Sequence, residues 1–438
     1  MLLVLQRDRG KMGKGIICIK IVNHNILYSL NNNITMKQVF ALIIIICFSL
    51  PLIPPASPVD AQAHYTMVIE QQSTYHSYED MTAELMNAAK NAPDIVSLFS
   101  IGTTYEGREI WVVKISDNPN TDEPDEPDVL YMGAHHGNEK TSYEVLIYFV
   151  NYVVEKYYEN SKEGNRVRYV VNNREMYIVP MVNPDGVNAD ERKNREPNYM
   201  PGPMHNPYPN CYGVDLNRNY DYMWNIIYPP SDTANPYSNT YQGESAFCEL
   251  ETQAVRDFVG SHDFVISLSY HTYSELILYP WGYTPRPPED EALFIDIANG
   301  ISAINGYEVM QASELYLTSG DACDWLYGEK NVLAYTIELG SSEDGHNPPM
   351  DRVLNMSETH VYVNLYAAEI ADNPGGEWVL REEEISEKAE GIFEDTPTSF
   401  AMMAVMIVAI FGITYGGLFK CFRIAIKSEG KKHGDMEK

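Results

Sequence analysis

The chain has 438 residues, of which 45% are hydrophobic, enough for one large domain with accessory segments. It carries 31 Lys and Arg against 61 Asp and Glu, a formal net charge of −30 at pH 7. Because no basic patch offsets this acidity, a nucleic-acid partner is excluded. The charge instead favours solubility and helps to attract cationic substrates.

The first 63 residues are typical of an addressing segment. Lys37 precedes an apolar run over residues 39–50, and prolines then lead to Ala61-Gln62-Ala63. A positive start, a short apolar core and a small-residue cleavage site predict a secretory signal peptide. A transmembrane anchor is the alternative, but the run is short and the prolines end it. We therefore expect residues 1–63 to be an N-terminal extension and signal peptide, with Met36 as the true start.

Residues 64–373 contain alternating strand and helix patterns. A helical stretch up to Lys90 is followed by strands and, from Thr141, by a helix with apolar residues at helical spacing. Such alternation predicts an α/β catalytic domain with a mixed, largely parallel central sheet and helices on both faces. The predicted strands include residues 95–101, 109–115, 128–132 and 332–337.

His136 and Glu139 lie three residues apart at the predicted start of the helix after strand 128–132. That offset points both side chains the same way. His271 follows much later in the chain. Two imidazoles and one carboxylate, as a close pair and a distant third, are typical of a catalytic zinc site that keeps one position open for water. An isolated His-x-x-Glu pair is common by chance, so the interpretation depends on the motifs downstream.

Five segments in a fixed order resemble the zinc carboxypeptidase family, which includes carboxypeptidases A and B and broad-specificity bacterial members. They are His136-Gly-Asn-Glu139; Asn183-Pro-Asp-Gly186 with Arg192-Lys-Asn-Arg195; Gly213-Val-Asp-Leu-Asn-Arg-Asn219; His271-Thr-Tyr273 with Leu278-Tyr-Pro-Trp-Gly282; and Tyr335-Thr-Ile-Glu-Leu339. The resemblance covers roughly residues 73–373. It implies the fold of that family and an exopeptidase that acts on the C-termini of peptides and proteins.

The resemblance also implies how the reaction is catalysed. It assigns one Zn²⁺ per chain to His136, Glu139 and His271, all residue types that suit this ion. Glu338 matches the general base, which takes a proton from water and passes it to the leaving amine. Arg195, the last residue of Arg-Lys-Asn-Arg, matches the arginine that stabilises the oxyanion. The alternative for Arg195 is a solvated basic turn.

Other matches concern the substrate. Asn217 and Arg218 match the pair that grips the terminal carboxylate, which a planar guanidinium binds through two parallel hydrogen bonds. Asp215 matches the carboxylate that holds the zinc-binding His136 imidazole. Tyr316 matches the mobile tyrosine that closes over the substrate, and Tyr273 is also expected to bind substrate.

The specificity pocket departs from both digestive types. Cys323 stands where the A type has a hydrophobic residue and the B type an aspartate, and Asp321 stands where both have glycine. A carboxylate slightly displaced in a largely neutral pocket should accept apolar side chains and still attract lysine or arginine. We therefore expect mixed apolar and basic specificity.

Three segments follow the catalytic domain: an acidic stalk over residues 374–395, an uncharged run over 396–419 and a basic tail over 420–438. At about 1.5 Å per residue the uncharged helix would span a hydrocarbon core of about 30 Å. A buried soluble helix is a poor alternative because the run is apolar on every side. The basic residues after it predict a cytoplasmic tail. We therefore expect a single-pass protein of the cell membrane, monomeric, with its catalytic domain outside the cytoplasm.

Three matters stay open in the sequence. By the resemblance Cys211 is a disulfide half with Cys248 as its plausible partner, but an odd number of cysteines in the external part leaves the pairing undecided. One alternative function is a same-fold peptidase acting on cell-wall or γ-linked peptides. Another is an inactive binding or adhesion module, although such relatives usually lose a zinc ligand or the base, and this chain retains them all.

Overall fold

The computed structural model describes three short strands near the N-terminus and residues 74–196, 213–226 and 233–376. Strands β1 (Val4–Arg9), β2 (Gly15–Ile21) and β3 (His24–Ile26) form an antiparallel sheet in a unit of their own, residues 1–60. The signal-peptide features, residues 377–395 of the stalk, the uncharged run and the basic tail lie outside the described residues. Within the described part, no helix is both long and apolar enough to cross a bilayer.

The second unit is built around an eight-stranded sheet in the order β10-β9-β11-β8-β6-β7-β5-β4. The strands are β4 (Val96–Thr103), β5 (Glu109–Ile115), β6 (Asp128–Met132), β7 (Glu175–Val179), β8 (Phe264–Thr272), β9 (Leu276–Tyr279), β10 (Glu308–Gln311) and β11 (Leu333–Leu339). Neighbours are parallel from β11 through β8 and β6 to β7, and both edges contain antiparallel pairs. The predicted mixed, largely parallel sheet is confirmed.

Helices cover both faces of this sheet. They are α1 (Tyr78–Asn91), α2 (Thr141–Tyr157), α3 (Lys162–Val171), α4 (Pro184–Ala189), α5 (Leu250–Val259), α6 (Glu291–Asn305), α7 (Ala312–Leu315), α8 (Ala322–Lys330) and α9 (Met350–Ile370), with a 3-10 turn at Leu216–Arg218. Alternate residues of β6 point to opposite faces, so Val129 and Tyr131 join one apolar cluster and Leu130 and Met132 the other. Helices α1, α2 and α9 pack on the first face, α5 and α8 on the second.

A histidine is enclosed between α9 and the sheet. His360 is fully buried, its Nδ1 donates to the carbonyl of Met356 at 2.8 Å, and its ring faces Tyr270 and Tyr307. Burial disfavours the charged ring and lowers the pKa of His360 to about 4, although the bond to Met356 opposes the shift.

His360 should therefore make the fold sensitive to acid. The unfolded chain takes up a proton near pH 6.5 but the folded chain only near 4, so stability present above pH 6.5 is lost as the pH falls between these values. We expect a loss of about 3 kcal/mol from this residue. Urea titrations of the wild type and His360→Phe across pH 4–7 measure it, and the variant should show the flatter profile. Equal profiles for the wild type and His360→Phe would contradict the assignment. His262→Phe is the control for the replacement of a histidine by phenylalanine.

Candidate active site

The order of the strands in the sheet brings four predicted site residues together. Strands β6, β8 and β11 are parallel neighbours, so their carboxyl ends meet at one edge, where α/β sheets bind ligands. His136 and Glu139 lie in the turn after β6, and His271 lies near the end of β8. Glu338, near the end of β11, pairs directly with His271 across the ladder. The register thus places the proposed base beside a metal ligand.

Three buried side chains converge as a donor set. Nδ1 of His136 lies 2.7 Å from Oε1 of Glu139, and Nδ1 of His271 lies 2.9 Å from Oε2. The two Nδ1 atoms are 3.2 Å apart, so the nitrogen and oxygen atoms of all three side chains form one small cluster. Donors about 2.1 Å from a tetrahedral zinc ion stand about 3.4 Å from one another. The predicted ligands His136, Glu139 and His271 therefore fit one zinc ion, and all three are buried.

Two glycines let the metal-binding turn pack closely against the next motif. A Cβ on Gly137 would lie 2.0 Å from the carbonyl carbon of Gly186. Asn183 closes the contact, because its Nδ2 donates to the carbonyls of His135 and Arg192. The turn that carries the ligands therefore packs directly against the Asn183-Pro-Asp-Gly186 segment.

Asp215 fixes the orientation of His136. Its Oδ1 lies 3.0 Å from Nε2 of His136, and Oδ2 accepts from Nε of Arg192 at 3.0 Å. A carboxylate on the outer nitrogen leaves Nδ1 free to face the metal. Although burial alone disfavours the charged carboxyl, Arg192, His136 and Arg218 hold the pKa of Asp215 well below its usual range. The carboxyl is thus ionised at neutral pH, in the position predicted for it.

The two glutamates of the site differ in their protonation. Burial opposes ionisation of Glu139, but His136 and His271 hold its pKa well below the usual range, as a metal ligand requires. Burial raises the pKa of Glu338 to about 7, and the charge of Glu139 adds to the effect while His271 and Arg192 oppose it. A carboxyl with a pKa near neutrality can both accept and donate a proton.

Arg195 does not reach this cluster. Its guanidinium pairs with Glu191 at 2.9 Å and Glu106 at 3.4 Å, both partly exposed. Arg192 lies there instead, with Nη1 3.5 Å from Oε1 of Glu139 and Nη2 2.9 Å from Asp215. Of the two arginines in Arg192-Lys-Asn-Arg195, the first faces the site and the second takes the solvated role that the sequence left open.

Asn217, Arg218 and Tyr316 lie together beside the donor set. Nδ2 of Asn217 is 3.5 Å from Nε2 of His271. Arg218 is buried, donates from Nη1 to the carbonyl of Asn217 at 2.6 Å and lies 3.5 Å from the hydroxyl of Tyr316. The Tyr316 side chain is 52% exposed, so it borders the opening rather than the interior. The arrangement places a buried guanidinium next to an exposed tyrosine at the opening of the site.

The predicted pocket residues lie at the start of α8. Asp321 caps this helix, since its Oδ1 accepts from the backbone N–H of Asp324 at 2.9 Å. Its Oδ2 is buried and lacks a hydrogen-bond partner among the described residues. Cys323 is a buried free thiol, and burial raises its pKa well above the usual value. Tyr273 is 37% exposed, with its ring 5.1 Å from that of His346.

The described residues also bear on the remaining cysteine. Among the described residues Cys248 forms no disulfide, and its thiol donates to Oε1 of Glu249 at 3.0 Å. Cys211 lies outside the described residues. Sequence reasoning did not single out Arg192 or His135 for the site, although both flank assigned residues. The sequence signal that could have identified them was their position, His135 next to a predicted zinc ligand and Arg192 within a matched motif.

Comparisons with known proteins agree with this geometry. The family model described as zinc carboxypeptidase matches residues 81–362, more than half of the chain. A zinc carboxypeptidase of Saccharothrix mutabilis subsp. capreolus is 31% identical over 296 residues, covering 63% of this chain and 64% of the relative. Carboxypeptidase B of Astacus astacus is 29% identical, covering 61% of this chain and 86% of the relative. The match thus spans less than two thirds of the bacterial relative.

Solved structures show the same architecture. The crystal structure of carboxypeptidase A from Helicoverpa armigera superposes with a TM-score of 0.60 at 26% identity, covering 69% of this chain and 75% of the other. A structure of thrombin-activatable fibrinolysis inhibitor gives the same TM-score at 24% identity and supports the fold alone. With its motifs, donor set and α/β sheet, the chain belongs to the zinc carboxypeptidase family.

Proposed function

We propose that the protein is a zinc metallocarboxypeptidase that hydrolyses the C-terminal peptide bond of peptides and proteins. The observation that carries this proposal is the convergence of His136, Glu139 and His271 beside Glu338, with the buried Arg218 close by. When bound, zinc supplies positive charge that polarises a carbonyl and lowers the pKa of water towards about 7. The chain's own residues supply the remaining steps.

Glu338 is the proton carrier of the proposed reaction. Its strand register holds it next to His271, and its pKa of about 7 suits a group that accepts a proton from the attacking water. The protonated carboxyl then donates to the nitrogen of the leaving amine, which returns Glu338 to its starting state. No other carboxylate of the cluster is free for this role, because Glu139 and Asp215 are held ionised by their partners.

Arg218 and Asn217 make the enzyme an exopeptidase in this proposal. The guanidinium of Arg218 is buried, so a substrate carboxylate that reaches it meets a desolvated fork of donors. An internal peptide bond offers no such charge. Tyr316 stands at the rim and can cover the bound C-terminus. These contacts favour an ordinary C-terminal carboxylate over cell-wall or γ-linked peptides, and no observation favours an inactive binding module.

Arg192 is the residue we assign to the oxyanion of the tetrahedral intermediate. It is the cation next to Glu139, whereas Arg195 is engaged by Glu191 and Glu106. A guanidinium already fixed by Asp215 needs no reorientation when negative charge develops.

The activity is tested with a mixed pool of synthetic peptides. Mass spectrometry after incubation with the purified protein should show losses of single C-terminal residues, and a chelator should abolish them because the ligand set then lacks its ion. Zinc added back should restore cleavage. Equal trimming after complete metal removal, or cleavage of internal bonds only, would overturn the proposal.

Asp321 is expected to extend the specificity from apolar to basic C-terminal residues. Its buried Oδ2 lacks a partner among the described residues, and a lysine or arginine side chain could donate to it, while Cys323 keeps the neighbouring wall neutral. A hydrogen bond between charged groups contributes about 1.5–3 kcal/mol.

Asp321→Asn should accordingly lower kcat/KM for a peptide ending in Arg by about 10- to 100-fold and leave the peptide ending in Phe within about threefold. Matched peptides ending in Phe, Leu, Arg and Glu measure this. Cys323→Ser, which changes the pocket wall without removing a charge, serves as the control. A wild-type preference for C-terminal Glu would contradict the pocket assignment.

We also propose that the protein is a monomer of the cell membrane, anchored by residues 396–419 with the catalytic domain outside the cytoplasm. The support for the membrane anchor and its orientation is the uncharged run and the basic residues after it. Protease added to intact cells should release the catalytic domain while an epitope on the tail stays protected. A fully soluble or fully protected protein would refute the anchor.

A further inference from the structure

The two histidines of the donor set are oriented by different means. Nε2 of His136 faces the carboxylate of Asp215 at 3.0 Å. Nε2 of His271 has one neighbour within hydrogen-bonding distance in the described chain, Nδ2 of Asn217 at 3.5 Å. That amide nitrogen is a donor, and Oδ1 of Asn217 already accepts from Ala322. Within the described residues, the outer nitrogen of His271 thus has no carboxylate or carbonyl oxygen within hydrogen-bonding distance, in contrast to His136.

A second ring lies flat against His271. The ring centroids of His135 and His271 are 5.7 Å apart with an interplanar angle of 17°, and the ring centroid of His136 lies 4.7 Å from that of His271 in an edge-to-face arrangement. His135 is fully buried. Its ring thus limits the rotation of the His271 imidazole, which decides where Nδ1 points.

His135 is itself firmly held. Its Nε2 lies 2.9 Å from the hydroxyl of Tyr220, and its Nδ1 lies 3.3 Å from Oγ of Ser269. Ser269 precedes His271 by two residues on β8, so both side chains project from the same face of the strand. Tyr220 packs against Trp325 of α8, and its backbone N–H donates to the carbonyl of Gly320. The ring is therefore anchored to two elements besides its own turn.

We propose that His135 is a positioning residue for the zinc ligand His271 and acts by ring contact, because no carboxylate of the described residues holds the outer nitrogen of His271 as Asp215 holds that of His136. His135 does not bind the metal in this arrangement, since both of its ring nitrogens are engaged by Tyr220 and Ser269. The inference rests on the zinc site of the proposed function. It extends that site to a residue that neither the motif nor the donor geometry includes.

The test measures metal binding rather than turnover. His135→Leu removes the flat ring at similar volume and should raise the zinc dissociation constant, measured by chelator competition, by about 10- to 100-fold. The absorption spectrum of the cobalt-substituted protein should shift as His271 reorients. The matched control is His262→Leu, because His262 also packs against aromatic rings but lies on the α5–β8 connection. It should match the wild type in both readouts.

A second variant tests the proposal if His135→Leu does not fold. Tyr220→Phe with Ser269→Ala keeps every ring and removes both anchors of His135, so zinc affinity should fall in the same direction by a smaller factor. Zinc affinity within twofold of the wild type and an unchanged cobalt spectrum in a folded variant would overturn the proposal, as would an equal loss in His262→Leu. Absence of stoichiometric zinc from the wild type is a different result and would refute the site itself.

Discussion

Glu338→Gln is expected to lower kcat by about 10³-fold while the protein still binds one zinc ion per chain. Glutamine has nearly the same shape as glutamate but cannot accept and return a proton. Because Glu338 is not part of the donor set, metal affinity should remain close to that of the wild type. Single-turnover kinetics with a peptide substrate, together with metal analysis of the same sample, measure both quantities.

An exposed glutamate provides the control for this substitution. Glu329 lies near the end of α8, away from the donor set, and Glu329→Gln removes the same charge from the molecule. It should leave kcat unchanged, which excludes an effect of net charge. If Glu338→Gln retained more than a tenth of the activity, another group would have to carry the proton. If it lost zinc, Glu338 would be a ligand and the assigned donor set would be wrong.

Arg192→Ala should lower kcat/KM by about 10²- to 10³-fold, whereas Arg195→Ala should stay within about threefold of the wild type. The first guanidinium faces Glu139 and Asp215, and the second pairs with partly exposed glutamates. Surface ion pairs of the second kind contribute about 0–1 kcal/mol, so their loss should have little effect. Steady-state kinetics on one C-terminal peptide compare the two variants.

Zinc content separates the two roles that Arg192 could play. Its removal also takes a partner from Asp215, which holds His136 in position. If the effect were only structural, the loss of activity would follow the loss of zinc and would disappear at saturating metal. A direct role at the oxyanion predicts a lower kcat even in the fully loaded enzyme. A large effect of Arg195→Ala and a small effect of Arg192→Ala would restore the assignment made from the sequence.

The choice between these arginines shows what the sequence could not decide. Both belong to one short motif and both are charged, so residue type does not separate them. The structure separates them through backbone anchors: the carbonyl of Arg192 accepts from Gly137 and Asn183, which ties it to the metal-binding turn. Asn194 is held by Glu249 and Glu251 on the other side. Two arginines only three residues apart in one loop can thus differ, one facing the site and the other the solvent.

The strands and the donor set could be predicted because their signals are local or strongly patterned. Apolar β-prone runs predicted the bounds of β4, β5, β6 and β11 to within a few residues. The three-residue spacing of His136 and Glu139 predicted that both side chains point the same way. The contact of His135 with His271 could not be predicted, because it depends on how β6 and β8 lie side by side.

The ladder between β8 and β11 has a consequence for the metal-free protein. Backbone hydrogen bonds, rather than the cation, set the spacing between the proton acceptor of Glu338 and the imidazole beside it. Because those bonds do not involve the ion, we expect removal of the metal to leave the spacing between these two side chains unchanged. Uptake of the ion should then need little movement of the main chain at these two strands.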